Sequence, residues 1–257
     1  MDTDAVLVQM LEKMINQGTS DINAYIGLAQ LYIQSEQPQK AKDLLSQALS
    51  LNSNNPQLYD LLAVASLQLG LNLLAEIEIR KAISISPNPF FLRRLGYILC
   101  MEDRYREAYD VFSQLYTISP SDEIRQELED LNKKLEKAEI QAFCVRKALE
   151  LNPNFSDAWA NLAYTLVMMG KYEDALAAFR RALELNPTPT IHYHNIGRVY
   201  AILGKYPEST KCFNSLCKAD PTNPEAFRYL GQLREILGDH KGAKDAYQCA
   251  QQLDGQG

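Results

Sequence analysis

Residues 156–187 read SDAWANLAYTLVMMGKYEDALAAFRRALELNP, and residues 190–221 read TIHYHNIGRVYAILGKYPESTKCFNSLCKADP. The two stretches carry large apolar and small residues at the same positions. In the first stretch these are Trp159, Leu162, Ala163, Leu166, Ala175, Phe179, Ala182 and Pro187. In the second they are Tyr193, Ile196, Gly197, Tyr200, Ser209, Phe213, Leu216 and Pro221. Because spacings of three and four residues place side chains on one face of a helix, each stretch predicts a pair of amphipathic helices.

The same spacing recurs along most of the chain, in residues 22–55, 56–88, 89–121 and 224–257. It resembles the 34-residue pattern of the tetratricopeptide-repeat (TPR) family, in which a W-x2-L-G-x2-Y helix precedes an A-x3-F helix and a closing proline. The resemblance implies an all-α fold, a TPR α-solenoid in which helix-turn-helix repeats stack into a right-handed superhelix. It also implies that the first helix of each repeat, helix A, lines a concave groove.

The residue type at each recurring position of the repeat has a physical reason. A small residue in helix A lets the second helix of the pair, helix B, cross it closely. These small residues are Ala29, Ala63, Gly96, Ala163, Gly197 and Gly231. Helix A is predicted to end at a glycine in four repeats, because glycine accepts the left-handed conformation that closes a helix. These four are Gly70, Gly170, Gly204 and Gly238.

Residues 122–155 have the length of one repeat but break its pattern. Glu129 stands where the small crossing residue belongs, and no glycine separates two helices. Apolar residues continue in alternating steps of four and three from Ile124 to Leu149, which predicts one continuous helix over residues 123–151. The alternative is a degenerate helical hairpin with a tight turn near Asn132.

This interruption divides the sequence into four regions. They are an N-terminal helix that covers the first repeat (residues 1–21), three repeats (22–121), the long connecting helix or degenerate repeat (122–155) and three further repeats (156–257). The final helix is expected to expose Tyr247, Ala250 and Leu253, because no capping helix follows it. That exposure would favour a homo-oligomer formed through this uncapped repeat, or truncation of a longer chain.

The composition of the chain indicates which classes of partner and which cellular compartment to expect. The net charge is −6 and no cluster of Lys and Arg stands out, so a nucleic-acid partner is not expected. No stretch approaches the ~18 consecutive apolar residues of a membrane span, so membrane insertion is not expected either. The cysteine count is five, an odd number without the spacing of a disulfide framework. A cytoplasmic protein with reduced thiols is predicted.

The sequence contains no catalytic motif and no cofactor-binding motif, so neither catalysis nor a cofactor is expected. His192 and His194 lie two residues apart on a predicted helix and therefore point about 200° apart, which does not suit a metal site. The interpretation is a binding protein, not an enzyme, with no metal and no cofactor.

Resemblance to the TPR family assigns the peptide-binding residues to helix A. The candidates are Arg93, Arg94, Tyr97, Asn161, Tyr164, His194, Asn195, Arg198 and Arg228. Asn161 and Asn195 occupy one slot in successive repeats, similar to the asparagine ladder in TPR arrays of the O-linked GlcNAc transferase type. Side-chain amides of that kind can hold a peptide backbone, since they donate and accept hydrogen bonds at once.

The cations of this groove predict the chemistry of the ligand. Arg198 and Arg228 favour an acidic or carboxylate-bearing segment in the C-terminal repeats, because a guanidinium binds a carboxylate bidentately. An apolar segment is predicted for the N-terminal repeats. The alternative is that both arginines pair with acids of neighbouring helices, such as Glu225 and Glu235.

Three functions remain open on the sequence. The leading one is a protein-protein interaction adaptor or scaffold that binds a peptide or partner protein in the concave groove. The second is the substrate-recruiting TPR segment of a larger enzyme such as a glycosyltransferase. The third is a secretion or pilus-assembly chaperone that protects an apolar segment, which the apolar N-terminal repeats favour.

Overall fold

The computed structural model describes residues 3–187 and 190–255, which form fourteen α-helices and no β-strand. The first seven are α1 (Thr3–Asn16), α2 (Ile22–Gln34), α3 (Pro38–Leu51), α4 (Pro56–Gln68), α5 (Asn72–Ile85), α6 (Pro89–Met101) and α7 (Tyr105–Ile118). The others are α8 (Asp122–Leu151), α9 (Ser156–Met168), α10 (Tyr172–Leu185), α11 (Thr190–Ile202), α12 (Tyr206–Ala219), α13 (Pro224–Ile236) and α14 (His240–Asp254). The predicted all-α class is confirmed, and α2, α4, α6, α9, α11 and α13 are the helix A elements.

The chain forms two compact units, residues 1–98 and residues 99–257. In the first unit α1 packs on α2, α2 packs on α3 and α4, and α4 packs on α5. Its core contains the fully buried Ala29 and Leu45. Helix α1 contributes Leu11 and Ile15 to this core, and Tyr32 on α2 donates a 2.6 Å hydrogen bond to Glu12. Helix α1 therefore packs on α2, the first helix of the first repeat.

Only part of the apolar surface of α1 is used in that contact. Val6 and Met10 are each about half exposed, and Leu7 and Met14 are also exposed. The apolar pattern of residues 4–17 includes these four residues together with Leu11 and Ile15, and therefore predicts a broader covering face than the structure shows. The covering face consists of Val8, Leu11 and Ile15.

In the second unit consecutive helices pack in order from α7 to α14. Helix α8 runs unbroken for 30 residues, so the predicted long helix is confirmed and the hairpin near Asn132 is wrong. It begins at the N-cap Ser121, whose Oγ accepts a hydrogen bond from the Ile124 amide at 3.2 Å. Its buried face contains Ile124, Leu131, Leu135, Ala138, Ala142 and Leu149. These residues are the seam that the sequence predicted, and α7 and α9 both pack against α8.

Small residues in helix A permit the close crossing by helix B that the sequence predicted. A β-carbon at Gly197 would lie 2.7 Å from Phe213 Cε2, and one at Gly231 would lie 2.5 Å from Tyr247 Cε1. Both distances are shorter than any ordinary van der Waals contact, so these two positions require glycine as long as the ring stays in place.

The turns between helix A and helix B all require a left-handed residue, but two of them lack glycine. The predicted glycines have φ between 69° and 81°. Glu36 has φ 56° in the α2–α3 turn and Asp103 has φ 58° in the α6–α7 turn. A residue with a β-carbon is strained in this conformation, so something else must hold these two turns in place.

Helix α14 has a buried apolar face and a polar outward face. Ala243, Ala246 and Ala250 of α14 are buried, and Tyr247 packs on Gly231 while its hydroxyl donates to Glu235 at 2.8 Å. The expectation that Tyr247 and Ala250 are exposed was wrong. Residues that face outward on α14 are polar or small: Lys244, Asp245, Gln248, Cys249, Gln251 and Gln252. Such a polar face is suited to contact with solvent.

Candidate functional site

The predicted site residues all lie on helix A elements, but in two separate groups. Arg93, Arg94 and Tyr97 lie on α6 within the first unit. The second unit carries Asn161 and Tyr164 on α9, His194, Asn195 and Arg198 on α11, and Arg228 on α13.

In the first unit, Arg94 is already engaged by a carboxylate of the preceding repeat. Its Nε lies 2.7 Å from Asp60 Oδ1 and its Nη2 lies 3.3 Å from Asp60 Oδ2. This bidentate pair ties α6 to α4. On the same helix, Tyr97 is 39% exposed and Phe90 is 77% exposed, so α6 presents two aromatic rings to solvent.

In the second unit, three of the predicted residues line one pocket. Tyr164, Asn195 and Arg198 contribute polar groups, and apolar side chains form the rest of its wall. Those apolar residues are Val167, Phe179, Val199 and Ile202. Two acids from the α6–α7 turn, Glu102 and Asp103, complete the lining. We call this pocket the C-terminal pocket.

The Arg198 guanidinium contacts both the side chain and the backbone of Glu102. Arg198 Nη2 lies 2.6 Å from Glu102 Oε2 and donates to the Glu102 carbonyl oxygen at 3.2 Å. The two side chains are only 18% and 14% exposed. The hydroxyl of Tyr229 on α13 donates to the same Oε2 at 3.3 Å. Burial raises the pKa of Tyr229, and the Glu102 charge raises it further, so this phenol stays a donor at neutral pH.

Asp103 makes a parallel set of contacts on the neighbouring helix. Its Oδ2 accepts from the Tyr164 hydroxyl at 3.2 Å, and its Oδ1 accepts from the Tyr105 hydroxyl at 2.5 Å. Burial and the Asp103 charge together raise the pKa of Tyr164, which keeps its proton in place for this hydrogen bond. The strained backbone at Asp103 is therefore held by two phenols.

A second contact fixes the start of α7 next to the α9–α10 turn. The guanidinium of Arg104, 3% exposed, binds Glu107 through two hydrogen bonds of 2.8 Å. Tyr172, at the start of α10, donates its hydroxyl to the same carboxylate. The α6–α7 turn is therefore seated by side chains from α9, α10, α11 and α13.

The remaining candidates lie outside this pocket. His194 packs edge-on against the rings of Phe213 and Tyr229, with centroids 5.6 Å and 5.5 Å away, and Glu225 approaches it at 3.4 Å. Arg228 pairs with Asp254 on α14 at 2.7 Å. Asn161 is exposed on α9. The structure thus brings together three of the six candidates of the second unit.

Glu225 and Glu235 are not the partners that the structure gives to the two arginines. Arg198 pairs with Glu102, which is 96 residues away in sequence, and Arg228 pairs with Asp254. The sequence did not predict a role for Glu102 or Asp103. One signal was available: the α6–α7 turn has no glycine at the position that Gly170 and Gly204 occupy in later repeats.

No group of three or more His, Cys, Asp or Glu side chains within residues 3–187 and 190–255 is arranged to hold a metal ion. No helix in the described part of the chain has both the length and the apolar character needed to span a membrane.

Comparison with solved structures finds distant likenesses. MamA is 16% identical over 76% of this chain and 95% of its own, with a TM-score of 0.42. The pilF protein of Pseudomonas aeruginosa is 21% identical over 88% of each chain, with a TM-score of 0.36. The TPR2AB domain of yeast Sti1, solved in complex with pHSP90, is 16% identical over 93% of each chain, with a TM-score of 0.43. These likenesses are too distant to bear on function.

Family models give a more direct result. No curated protein sequence matches the chain. Three models, each described as tetratricopeptide repeat, match residues 4–65, residues 156–189 and residues 194–257. Together they take in more than half of the sequence, and the match to residues 156–189 begins where α9 begins. The chain therefore belongs to the tetratricopeptide-repeat family.

Proposed function

We propose that this chain is a protein-protein interaction adaptor or scaffold, and that its helix A faces hold a segment of a partner polypeptide. The observation that carries the proposal is the C-terminal pocket. There, donors from three successive helix A elements, Tyr164, Arg198 and Tyr229, already hold two carboxylates of a polypeptide turn. Repeats that project donors from the same face suit an elongated ligand, because each repeat adds one contact.

The chemistry of the two units suggests two kinds of ligand segment. In the second unit, a guanidinium and two phenols favour carboxylates. In the first unit, the exposed rings of Phe90 and Tyr97 favour an apolar segment. A partner that carries an acidic segment and an apolar segment would use both units.

Binding without catalysis is the role that we propose, in the cytoplasm. The five cysteines are free thiols, in keeping with a reducing compartment. The polar outer face of α14 gives no support to self-association through the last repeat, so we do not propose a homo-oligomer.

The test begins with cofractionation of the native protein and mass spectrometry of the proteins that accompany it. The partner is then titrated against the wild type and against Asn161→Ala/Asn195→Ala, two amides on the helix A face of successive repeats. We expect the double variant to bind at least tenfold more weakly, which corresponds to about 1.4 kcal/mol.

The matched control is Gln248→Ala/Gln251→Ala, which removes two exposed amides from α14. This control should keep full affinity and an unchanged melting temperature. Unchanged affinity in the Asn161/Asn195 variant, together with loss in the α14 control, would overturn the proposal.

A further inference from the structure

A segment of the chain itself binds the polar groups of the C-terminal pocket. Glu102 and Asp103 lie in the turn between α6 and α7, outside the three repeats whose helices form the pocket. Both are nevertheless bound there, Glu102 by Arg198 and Tyr229, and Asp103 by Tyr164. The turn therefore takes the position that the proposed function assigns to a partner segment.

Backbone geometry gives a second, independent observation. Asp103 adopts φ 58°, where four other turns of the chain have glycine. A β-carbon in this region is strained, and such strain persists where surrounding contacts over-determine it. From this position the Asp103 carboxylate accepts hydrogen bonds from the Tyr164 and Tyr105 hydroxyls. Glycine would relieve the strain and lose both hydrogen bonds.

Glu36 provides the internal comparison. It has nearly the same backbone conformation, φ 56°, in the α2–α3 turn, and its side chain is exposed. The same strained turn thus occurs once with the side chain in solvent and once with the side chain seated in a pocket. The seating of Asp103 is therefore not a consequence of the turn conformation itself.

The contacts made by Glu102 and Asp103 are polar and non-covalent, so they can break and form again. They consist of charge-assisted and phenolic hydrogen bonds to Glu102 and Asp103, and apolar residues line the rest of the pocket. A partner segment with adjacent carboxylates would find the same donors. Because Arg198 Nη2 is already bound to Glu102 at 2.6 Å, a second carboxylate at this donor competes with the first.

We propose that the Glu102–Asp103 turn is an intrachain ligand of the donors Tyr164, Arg198 and Tyr229 at the C-terminal pocket, and that an acidic segment of the partner binds these donors by displacing the turn. This inference rests on the proposed function and adds a regulatory step to it. The protein is self-occluded at rest, and its apparent affinity is reduced by the fraction of molecules in which the turn is seated.

The experiment uses the full chain and two capped, fluorescein-labelled peptides. One peptide carries the residues of the turn, Met-Glu-Asp-Arg-Tyr, and the other has Gln and Asn in place of Glu and Asp. Fluorescence anisotropy measures the binding of each peptide to the wild type and to Glu102→Gln/Asp103→Gly. We expect the acidic peptide to bind this variant at least tenfold more tightly than the wild type, and the amide peptide to bind neither.

Two further variants keep the test falsifiable. Glu102→Gln/Asp103→Asn removes both charges and retains a residue that tolerates the left-handed turn, so it separates release of the turn from misfolding. Adding Arg198→Met to the Glu102→Gln/Asp103→Gly variant should abolish the gain. The control Glu36→Gly alters the equivalent turn of the first repeat and should leave peptide affinity at the wild-type value.

Each outcome decides the question. A tenfold gain that requires Arg198 supports self-occlusion. Equal affinity of the acidic peptide for the wild type and both turn variants overturns self-occlusion but not the proposed function. A gain that survives Arg198→Met, or no binding of the acidic peptide to any folded variant, also overturns the inference. Failure of the proposed function itself would appear separately, in the titration of the native partner against the Asn161/Asn195 variant.

Discussion

Gly197 lies beneath the ring of Phe213, so close that a β-carbon there would be 2.7 Å from Cε2. Phe213 is fully buried, and its ring also stacks on Tyr229 with centroids 4.8 Å apart. The ring therefore has little room to move away. This contact limits how closely α11 and α12 can cross, and Gly197 directly precedes Arg198 of the C-terminal pocket in the sequence.

We predict that Gly197→Ala destabilises the protein although alanine is the better helix former. Overpacking a filled core costs about 1–3 kcal/mol, which exceeds the ~1 kcal/mol that alanine gains over glycine in a helix. Urea denaturation measures the difference. Gly27→Ala in α2 is the matched control, since its nearest neighbour is Leu11 Cδ1 at 3.7 Å. That variant should be more stable than the wild type by up to about 1 kcal/mol, and a loss in both variants would contradict the packing argument.

A second prediction concerns the ion pair between Glu102 and Arg198. Its side chains are mostly buried, so removal of one partner leaves a charge in a poorly solvated site. We expect Arg198→Met to cost about 2 kcal/mol or more, and a double-mutant cycle with Glu102→Gln to give a coupling of at least about 1 kcal/mol. Chemical denaturation of the four proteins measures both quantities.

The exposed pair Arg181–Glu184 serves as the control for that cycle. Its N–O distance is 3.0 Å, but its side chains are 42% and 65% exposed. Solvent screening should reduce its coupling to about 0.5 kcal/mol or less. Equal coupling in the two cycles would show that the seat of the α6–α7 turn is no stronger than a surface contact.

A third prediction follows from the buried imidazole of His192. The ring is 4% exposed, and neither of its nitrogens has a hydrogen-bond partner among the described residues. Burial lowers the pKa of His192, and the Asp157 charge opposes this only in part. The unfolded chain therefore binds a proton more readily than the folded one.

Stability should fall as the pH drops below about 6.5, the ordinary pKa of histidine, by at most about 1.4 kcal/mol for each pH unit. Urea denaturation at pH 7.5 and pH 5.5 measures this loss. In His192→Leu the part of the loss due to this ring should disappear, and stability at pH 7.5 should stay equal or rise, because no hydrogen bond is given up. An identical pH dependence in both proteins would contradict the assignment.

A fourth prediction tests the continuity of α8 in solution. Asn132 is exposed near the middle of the helix, where the alternative hairpin would have placed a turn. Asn132→Pro should cost about 3 kcal/mol, because proline removes a helical hydrogen bond and clashes with the preceding turn. Asn132→Ala should change stability by no more than about 0.5 kcal/mol. Circular dichroism melts of both variants give the answer, and a proline variant as stable as the wild type would favour a turn at this position.

The sequence predicts local features of this fold well and distant contacts poorly. Gly197 and Phe213 occupy slots that repeat every 34 residues, so their contact follows from the pattern. The continuous α8 follows from its seam and from its missing glycine. Nothing local indicates that Glu102 meets Arg198, because that contact depends on where α8 directs the chain. The repeat pattern also does not indicate the partner of Arg228, because Asp254 lies at the end of α14 and occupies no slot of the pattern.

The length of α8 sets the spacing of the two helices that pack against it. Since α7 and α9 both pack against it, its length fixes how far the start of α7 lies from the end of α9. One inserted residue would add about 1.5 Å and rotate everything beyond it by about 100°. Seven inserted residues would nearly restore the facing but lengthen the helix by about 10 Å. Insertions within 122–151 would therefore separate the 102–103 turn from the C-terminal pocket while leaving each repeat intact. The contacts of this turn thus depend on the number of residues in α8 as well as on the residues that make them.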